Sequence, residues 1–282
     1  MEHMSNKDLD ALVKQAVAGD QRSLEVLLIG VRDLVFNLSL RMLGTFPDAE
    51  DATQDILLKT LTHLSTFKGE SAFTTWVFRI AVNHLKNYKK HMFAHQPLSF
   101  EYYGDDIENG NIRDVPDLTQ NVEKDLLAQE LKMSCTNVML QCLDPESRCI
   151  FILGTMFRID SRIAGDILGM TPEAYRQRLS RSRKKMADFL GRYCGEYGDG
   201  ACRCRDRVNY AIQCHRIDPL RLDHTSATEI PMETILEVTS AMEELDDLSQ
   251  LLSFRRACQA PERTKRFVRE LLASAPFSVI KQ

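Results

Sequence analysis

Hydrophobic residues recur at helical spacing along nearly the whole chain. In the N-terminal part this periodicity predicts four helices, at residues 9–17, 24–44, 48–67 and 73–91. Asp48 is placed to cap the third of these helices, because a short acidic side chain can accept hydrogen bonds from the first free backbone amides. We therefore expect the four helices to pack as one domain at residues 1–96.

The helical pattern fades after this domain and then returns. Residues 97–119 combine turn formers and acidic residues with little periodicity, which is typical of a linker. Helical spacing resumes and continues to Leu190, so a second domain is expected at residues 120–190. Residues 191–282 are then predicted to be a cysteine-containing, acidic helical extension. The predicted fold class is all-α.

The strongest local signal in the second domain is that of a helix-turn-helix. Residues 161–168 would form the first helix, 169–171 the turn and 172–186 the second helix, with glycine opening the turn and proline at the first position of the second helix. At 100° per residue, the expected inward positions are Ala174, Tyr175, Leu179 and Ser182, and the expected outward positions are Glu173, Gln177, Ser180 and Lys184, flanked by Arg176 and Arg183. That face could enter a DNA major groove, whereas the alternative is a solvated basic helix.

Composition and charge are compatible with DNA binding only because of how the charges are distributed. The 282 residues carry a formal net charge of −4, which by itself argues against a nucleic-acid partner. However, residues 71–100 and 176–185 contain no acidic residue, and the second of these segments is rich in arginine and lysine. The sequence contains no long apolar run, signal peptide, phosphate loop or nucleophile elbow. We therefore expect a cytoplasmic protein that is not an enzyme.

The third and fourth predicted helices carry two more surfaces of interest. On the third, an acidic and partly apolar face is suited to docking a basic partner helix, and it consists of Asp51, Gln54, Asp55 and Leu58. The fourth is free of acidic residues and mixes aromatic with basic side chains, as single-stranded DNA binding requires. Taken alone, Phe73, Trp76 and Phe78 are better explained as core residues.

These segments together resemble bacterial RNA polymerase sigma factors of the extracytoplasmic-function type. Residues 48–67 are similar to the polymerase-binding helix of that family, and 68–91 to its minus-ten recognition loop and helix. Residues 142–186 resemble the fourth region, which binds the minus-thirty-five element. The cysteine-bearing segment at residues 192–208 resembles an extension found in one subgroup. The resemblance implies core RNA polymerase and promoter DNA as partners, and it admits an anti-sigma factor; no membrane partner is expected.

The resemblance also assigns residues to each partner. It implies that the acidic face, Asp51 to Leu58, contacts the clamp helices of the large polymerase subunit, and that the fourth region also contacts the flap. The implied DNA contacts are Lys68, Ser71, Thr74, Arg79, Asn83 and Lys86 in the first domain and Glu173, Arg176, Gln177, Ser180, Arg183 and Lys184 in the second. Glu173 and Tyr175 replace the small and β-branched residues that are usual in the recognition helix of this family. The promoter sequence therefore cannot be predicted from the resemblance. The alternative is a stand-alone helix-turn-helix regulator, against which the acidic face argues.

The extension carries a cysteine cluster whose chemistry the sequence leaves open. Cys194, Cys202 and Cys204, with Cys214 or His215 as a fourth ligand, could bind zinc tetrahedrally. The alternatives are structural cysteines or a thiol switch, which would require neighbouring arginines, Arg203 and Arg205, to lower the thiolate pKa. The acidic stretch at residues 229–247 could also pair with the basic recognition helix, which would make the extension regulatory.

Overall fold

A computed structural model describes residues 6–88, 98–110, 115–227, 229–231 and 256–273. Helices dominate these residues, and a single two-stranded ribbon accompanies them. The all-α prediction is confirmed. Among the described residues, no helix has both the length and the hydropathy needed to cross a bilayer.

Four helices form the N-terminal part, as the periodicity predicts. They are α1 (Asn6–Val17), α2 (Gln21–Leu43), α3 (Phe46–His63) and α4 (Phe73–Lys86), with a short 3-10 turn at Leu64–Thr66 between the last two. The cap of α3 differs from the prediction, because the Thr45 hydroxyl, and not Asp48, accepts a hydrogen bond from a first-turn amide, that of Asp48. Helix α4 ends before the predicted His91, and residues 89–97 lie outside the described part.

The predicted linker contains a helix, so the expectation of irregular structure is wrong there. Helix α5 (Phe100–Asn109) begins where the Ser99 hydroxyl accepts a hydrogen bond from the Tyr102 amide at 3.1 Å. Tyr103 is buried and stacks on Phe189 with the ring centroids 5.5 Å apart. A contact with a residue so distant in sequence stabilises a segment whose own periodicity is weak.

The second helical part contains the predicted helix-turn-helix. It comprises α6 (Lys124–Gln141), α7 (Pro145–Phe151) with a π-helical continuation at Ile152–Met156, α8 (Ser161–Leu168) and α9 (Pro172–Tyr193). Gly169 adopts a left-handed φ of 69°, and the Thr171 hydroxyl caps α9 by accepting from the Ala174 amide. The predicted bounds of α8 and the predicted start of α9 are confirmed, while α9 continues beyond Met186.

The two helical parts share one continuous core. Phe78 of α4 meets Phe157 edge to face, with the ring centroids 5.6 Å apart. The buried guanidinium of Arg148 donates to the Met42 carbonyl at the end of α2, at 2.6 Å, and to the Leu140 carbonyl at 2.9 Å. Burial in this position lowers the pKa of Arg148 to about 10. In this structure the predicted domains are therefore packed against each other.

The extension returns to the N-terminal helices. A 3-10 turn at Cys204–Arg207 leads into α10 (Val208–Gln213), and β1 (Glu229–Pro231) pairs antiparallel with β2 (Arg256–Cys258). Helix α11 (Glu262–Ala273) then packs on α2 and α3. Most of the acidic stretch at residues 229–247 lies outside the described residues.

Candidate polymerase and nucleic-acid interfaces

Helix α3 presents the predicted acidic face to the exterior. Asp51, Asp55 and Leu58 are exposed, Leu58 to 39%, and Gln54 is half-buried. The opposite side of the helix is fully buried in the core, for example at Ile56. The periodicity therefore separates a packed side from an accessible one. An exposed leucine among carboxylates is suited to a partner helix that is both apolar and basic.

His84 borders this face from α4. Its Nε2 lies 3.7 Å from Asp55 Oδ2, while its Nδ1 lies 2.7 Å from Nζ of Lys59. Burial and the neighbouring Lys59 lower the pKa of His84, and Asp55 opposes them only in part. The lowered pKa favours the neutral imidazole of His84, so this side chain pairs weakly with Asp55 and leaves the Asp55 side chain accessible to a partner.

The sequence did not point to two further residues at the edge of the α3 face. Glu50 lies beside Asp51 and has a side chain only 16% exposed, and its Oε2 is 2.9 Å from Nη2 of Arg263 in α11. The same guanidinium nitrogen is 3.5 Å from Oδ1 of Asp51. No local pattern could have signalled this cluster, because Arg263 and Asp51 are 212 positions apart.

The predicted DNA contacts of the first domain are not all open to solvent. Lys68 and Asn83 are exposed, and Ser71 and Lys86 are half-buried. Thr74 is only 9% exposed, so its predicted contact with DNA does not fit this state of the protein.

Arg79 and the aromatic residues of α4 face other parts of the protein. Arg79 forms an ion pair with Asp166 of α8, which places the helix-turn-helix over part of the predicted minus-ten surface. Phe73 and Phe78 are buried, and this confirms their interpretation as core residues. Trp76 is half-buried and stacks on Phe73 with the ring centroids 5.8 Å apart.

Helix α9, the predicted recognition helix, exposes most of its predicted face. The exposed members are Glu173, Arg176, Gln177, Ser180 and Lys184. Tyr175 and Ser182 are buried, as the inward pattern predicts, and the Tyr175 hydroxyl points to the Ile150 carbonyl at 3.4 Å. Nη1 of Arg176 donates to the Ser161 hydroxyl at 2.9 Å, so this guanidinium is held between α8 and α9.

Arg183 differs from the predicted set because it faces into the domain. Its Nε donates to the Thr155 hydroxyl at 3.1 Å, and its Nη2 donates to the Gly154 carbonyl at 3.2 Å. It neighbours the buried Ser182 and lies over the π-helical turn, where carbonyl groups need donors. Its placement here is structural, and the flanking contact with DNA assigned to it does not fit this geometry.

The cysteine cluster is held by a short backbone pairing. The Gly195 amide donates to the Cys202 carbonyl at 2.9 Å, and the Cys202 amide donates to the Tyr193 carbonyl at 3.0 Å. Cys194 and Cys204 line a cavity of about 30 Å³ together with Cys135 of α6, a residue that sequence reasoning did not connect with the cluster.

The cluster does not have the geometry of a metal site in this structure. Within the described ranges, no three His, Cys, Asp or Glu side chains are placed to share an ion. Cys214 and His215 are exposed after α10. The arrangement does not fit a tetrahedral zinc, and zinc binding stays a prediction that metal analysis must test.

A thiol switch requires lowered cysteine pKa values, but the pKa values of Cys202 and Cys204 are raised. Burial raises the pKa of Cys202, and Arg207 and Arg203 only partly offset it. Burial also raises the pKa of Cys204 to about 11. Arg203 donates to the Gly200 carbonyl at 2.6 Å, and Arg205 pairs with Asp125. Because the thiols become weaker acids, little thiolate is present near pH 7.

Comparison with known proteins identifies the N-terminal part. The family model described as "Sigma-70 region 2" matches residues 29–91, which run from within α2 through α3 and α4. This segment of the chain is therefore similar to sigma-70 region 2. The exposed acidic face of α3 and the basic, aromatic α4 both lie within the matched residues.

Similar curated proteins are sigma factors. The RNA polymerase sigma-H factor of Pseudomonas aeruginosa is 34% identical over 77 residues, which are 27% of this chain and 40% of that protein. The ECF RNA polymerase sigma-E factor of Haemophilus influenzae is 32% identical over 126 residues, 43% of this chain and 64% of that protein. The matches therefore span less than two thirds of the length of these two relatives.

A longer match and a solved structure complete the comparison. The ECF RNA polymerase sigma-E factor of Escherichia coli strain K12 is 27% identical over 177 residues, which are 61% of this chain and 89% of that protein. The structure of CnrH in complex with the cytosolic domain of CnrY aligns with a TM-score of 0.47 at 21% identity, over 64% of this chain and 95% of that chain.

Proposed function

We propose that this chain is a sigma factor of the extracytoplasmic-function type, which binds core RNA polymerase and directs it to specific promoters. The observation that carries the proposal is the region 2 match at residues 29–91, within which α3 exposes Asp51, Asp55 and Leu58. A stand-alone regulator has no use for such a docking face, and the similar proteins are sigma factors. The chemistry of RNA synthesis would belong to the polymerase.

Polymerase binding is proposed to depend on the carboxylates of α3. Asp51→Arg combined with Asp55→Arg replaces two attractive charges with repulsive ones, and like-charge juxtaposition at an interface costs on the order of several kcal/mol. The double variant should lose binding to core polymerase in a pull-down. Asp188→Arg with Glu196→Arg is a matched control, since it makes the same change in net charge at exposed positions outside region 2. Undiminished binding of the folded Asp51 and Asp55 variant would refute the docking assignment.

Promoter recognition is proposed to use α4 for the minus-ten element and α9 for the minus-thirty-five element. These elements lie about 25 base pairs apart, or roughly 85 Å at about 3.4 Å per base pair. In the packed structure, however, α4 contacts α8 directly through Arg79 and Asp166. Simultaneous recognition therefore requires the two parts to separate. Transcription with core polymerase, followed by mapping of the start sites, tests whether both elements are read.

The roles of the extension and of further partners are separate proposals. A metal-responsive or redox-responsive extension would change transcription when metal or reductant is varied, and metal analysis before and after chelation would detect bound zinc. An anti-sigma factor as a partner stays a prediction, which co-purification from the source cell would test.

A further inference from the structure

The C-terminal segment is attached to α2 by a buried side chain whose geometry fits it closely. Asn37 is fully buried; its Nδ2 donates to the Cys258 carbonyl at 2.7 Å, and its Oδ1 accepts from the Cys258 amide at 2.9 Å. Two residues later, the Ala260 amide donates to Oδ1 of Asp33 at 2.8 Å. Burying polar groups is costly unless they are paired, so this matched pairing indicates a specific docking site for the segment.

Helix α11 continues this docking towards region 2. Val268 and Leu272 are buried in the core that α2 and α4 share, and they lie on the same side of α11 because they are four residues apart. At its C-terminal end, the Gln21 amide nitrogen donates to the Leu272 carbonyl at 2.7 Å. The helix is therefore held along its length, and its first turn is directed to the N-terminal end of α3.

At that end, Arg263 pairs with Asp51, the first residue of the proposed polymerase-binding face. Its guanidinium lies within 2.9 Å of Glu50 and 3.5 Å of Asp51. A cation paired with these carboxylates supplies the chemistry that a basic partner helix would supply from outside the chain. Both cations cannot hold the same position beside Asp51.

We propose that Arg263 of α11 is an intramolecular competitor of RNA polymerase, occupying the Asp51 end of the docking face until polymerase displaces its side chain. This inference rests on the proposed function, because the competing partner is core polymerase. A segment on the same chain acts at a high effective concentration, so even a weak contact competes with an external partner. The affinity of the chain for polymerase falls in proportion to the fraction in which the face is occupied.

The test compares two arginines of the same helix. Arg263→Ala removes the pair with Glu50 and Asp51, whereas Arg269→Ala removes an equivalent pair with Glu25 of α2. The two arginine side chains are 61% and 60% exposed, and their ion-pair distances are 2.9 and 3.0 Å. Core polymerase is immobilised, and the affinity of each full-length variant is measured by biolayer interferometry.

The expected result is an affinity for core polymerase that rises about two- to five-fold in Arg263→Ala, the range typical of an exposed ion pair. Arg269→Ala should match the unmodified chain, and the difference should shrink at high salt because exposed charges are screened. An unchanged or weaker affinity in Arg263→Ala, or an equal gain in both variants, would overturn the competition. Failure of both the unmodified chain and Arg263→Ala to bind core polymerase would instead overturn the proposed function.

Discussion

Replacing Asn37 with alanine should release the C-terminal segment while leaving the rest of the chain folded. The Asn37 side chain forms a donor and an acceptor bond to the backbone of Cys258, at 2.7 and 2.9 Å. Cys258 is itself buried, so its backbone amide and carbonyl would lose these two bonds out of reach of bulk water. Undocking restores their hydrogen bonds with solvent, and the variant therefore favours the undocked state.

The cost in docking free energy follows from the two hydrogen bonds that are lost. A buried hydrogen bond whose partner is removed costs about 1–3 kcal/mol, so losing two such bonds costs roughly 2–4 kcal/mol once local relaxation is allowed for. At about 1.4 kcal/mol per factor of ten, the docking equilibrium should shift by roughly 30- to 1000-fold. A shift of this size is measurable because local opening sets the rate of amide exchange.

Hydrogen exchange followed by mass spectrometry is the appropriate assay. The amides of residues 266–272, within α11, should exchange at least about tenfold faster in Asn37→Ala than in the unmodified chain. Ser39→Ala is the matched control: Ser39 is buried two positions along the same helix, and its hydroxyl has no hydrogen-bond partner among the residues that the structure describes. Unchanged protection of α11 in folded Asn37→Ala, or equal loss in Ser39→Ala, would refute the reasoning.

Three further predictions concern stability, thiol chemistry and pH. Arg183→Ala should lower the free energy of unfolding by about 1–3 kcal/mol, because the bonds of Arg183 to Thr155 and Gly154 are lost, whereas Lys184→Ala should weaken upstream DNA binding alone. Denaturant unfolding measures the first effect and footprinting the second. An equal loss of stability in both variants would contradict the inward placement of Arg183. Exposed Cys214 should be alkylated by iodoacetamide before buried Cys149, whose pKa burial raises to about 12; mass spectrometry showing early labelling of Cys149 would contradict this. Burial lowers the pKa of His224, so the unfolded chain binds the proton more readily, and stability should fall as pH drops below about 6.5. His224→Gln should flatten that dependence in unfolding measured from pH 7 to 5.

Local signals in the sequence determined the elements that carry the proposed function. The bounds of α8 and the start of α9 follow from a glycine that tolerates positive φ and a proline that suits a helix start, so both were predicted from neighbouring residues alone. The accessible face of α3 follows from 3.6-residue periodicity, which separates buried from exposed positions without knowledge of the partner. These are properties that a segment has before it meets the rest of the chain.

The tertiary structure alone decided which of those surfaces are free. Arg79 and Arg183 carry the charge expected for DNA, yet one pairs with Asp166 and the other turns into the π-helical segment. Helix α5 forms in a segment of weak periodicity because Tyr103 stacks on a distant ring. Arg263 reaches Asp51 across 212 positions of sequence. Such contacts depend on which helices pack together, and packing energy comes from surfaces far apart in sequence, so no local pattern encodes it.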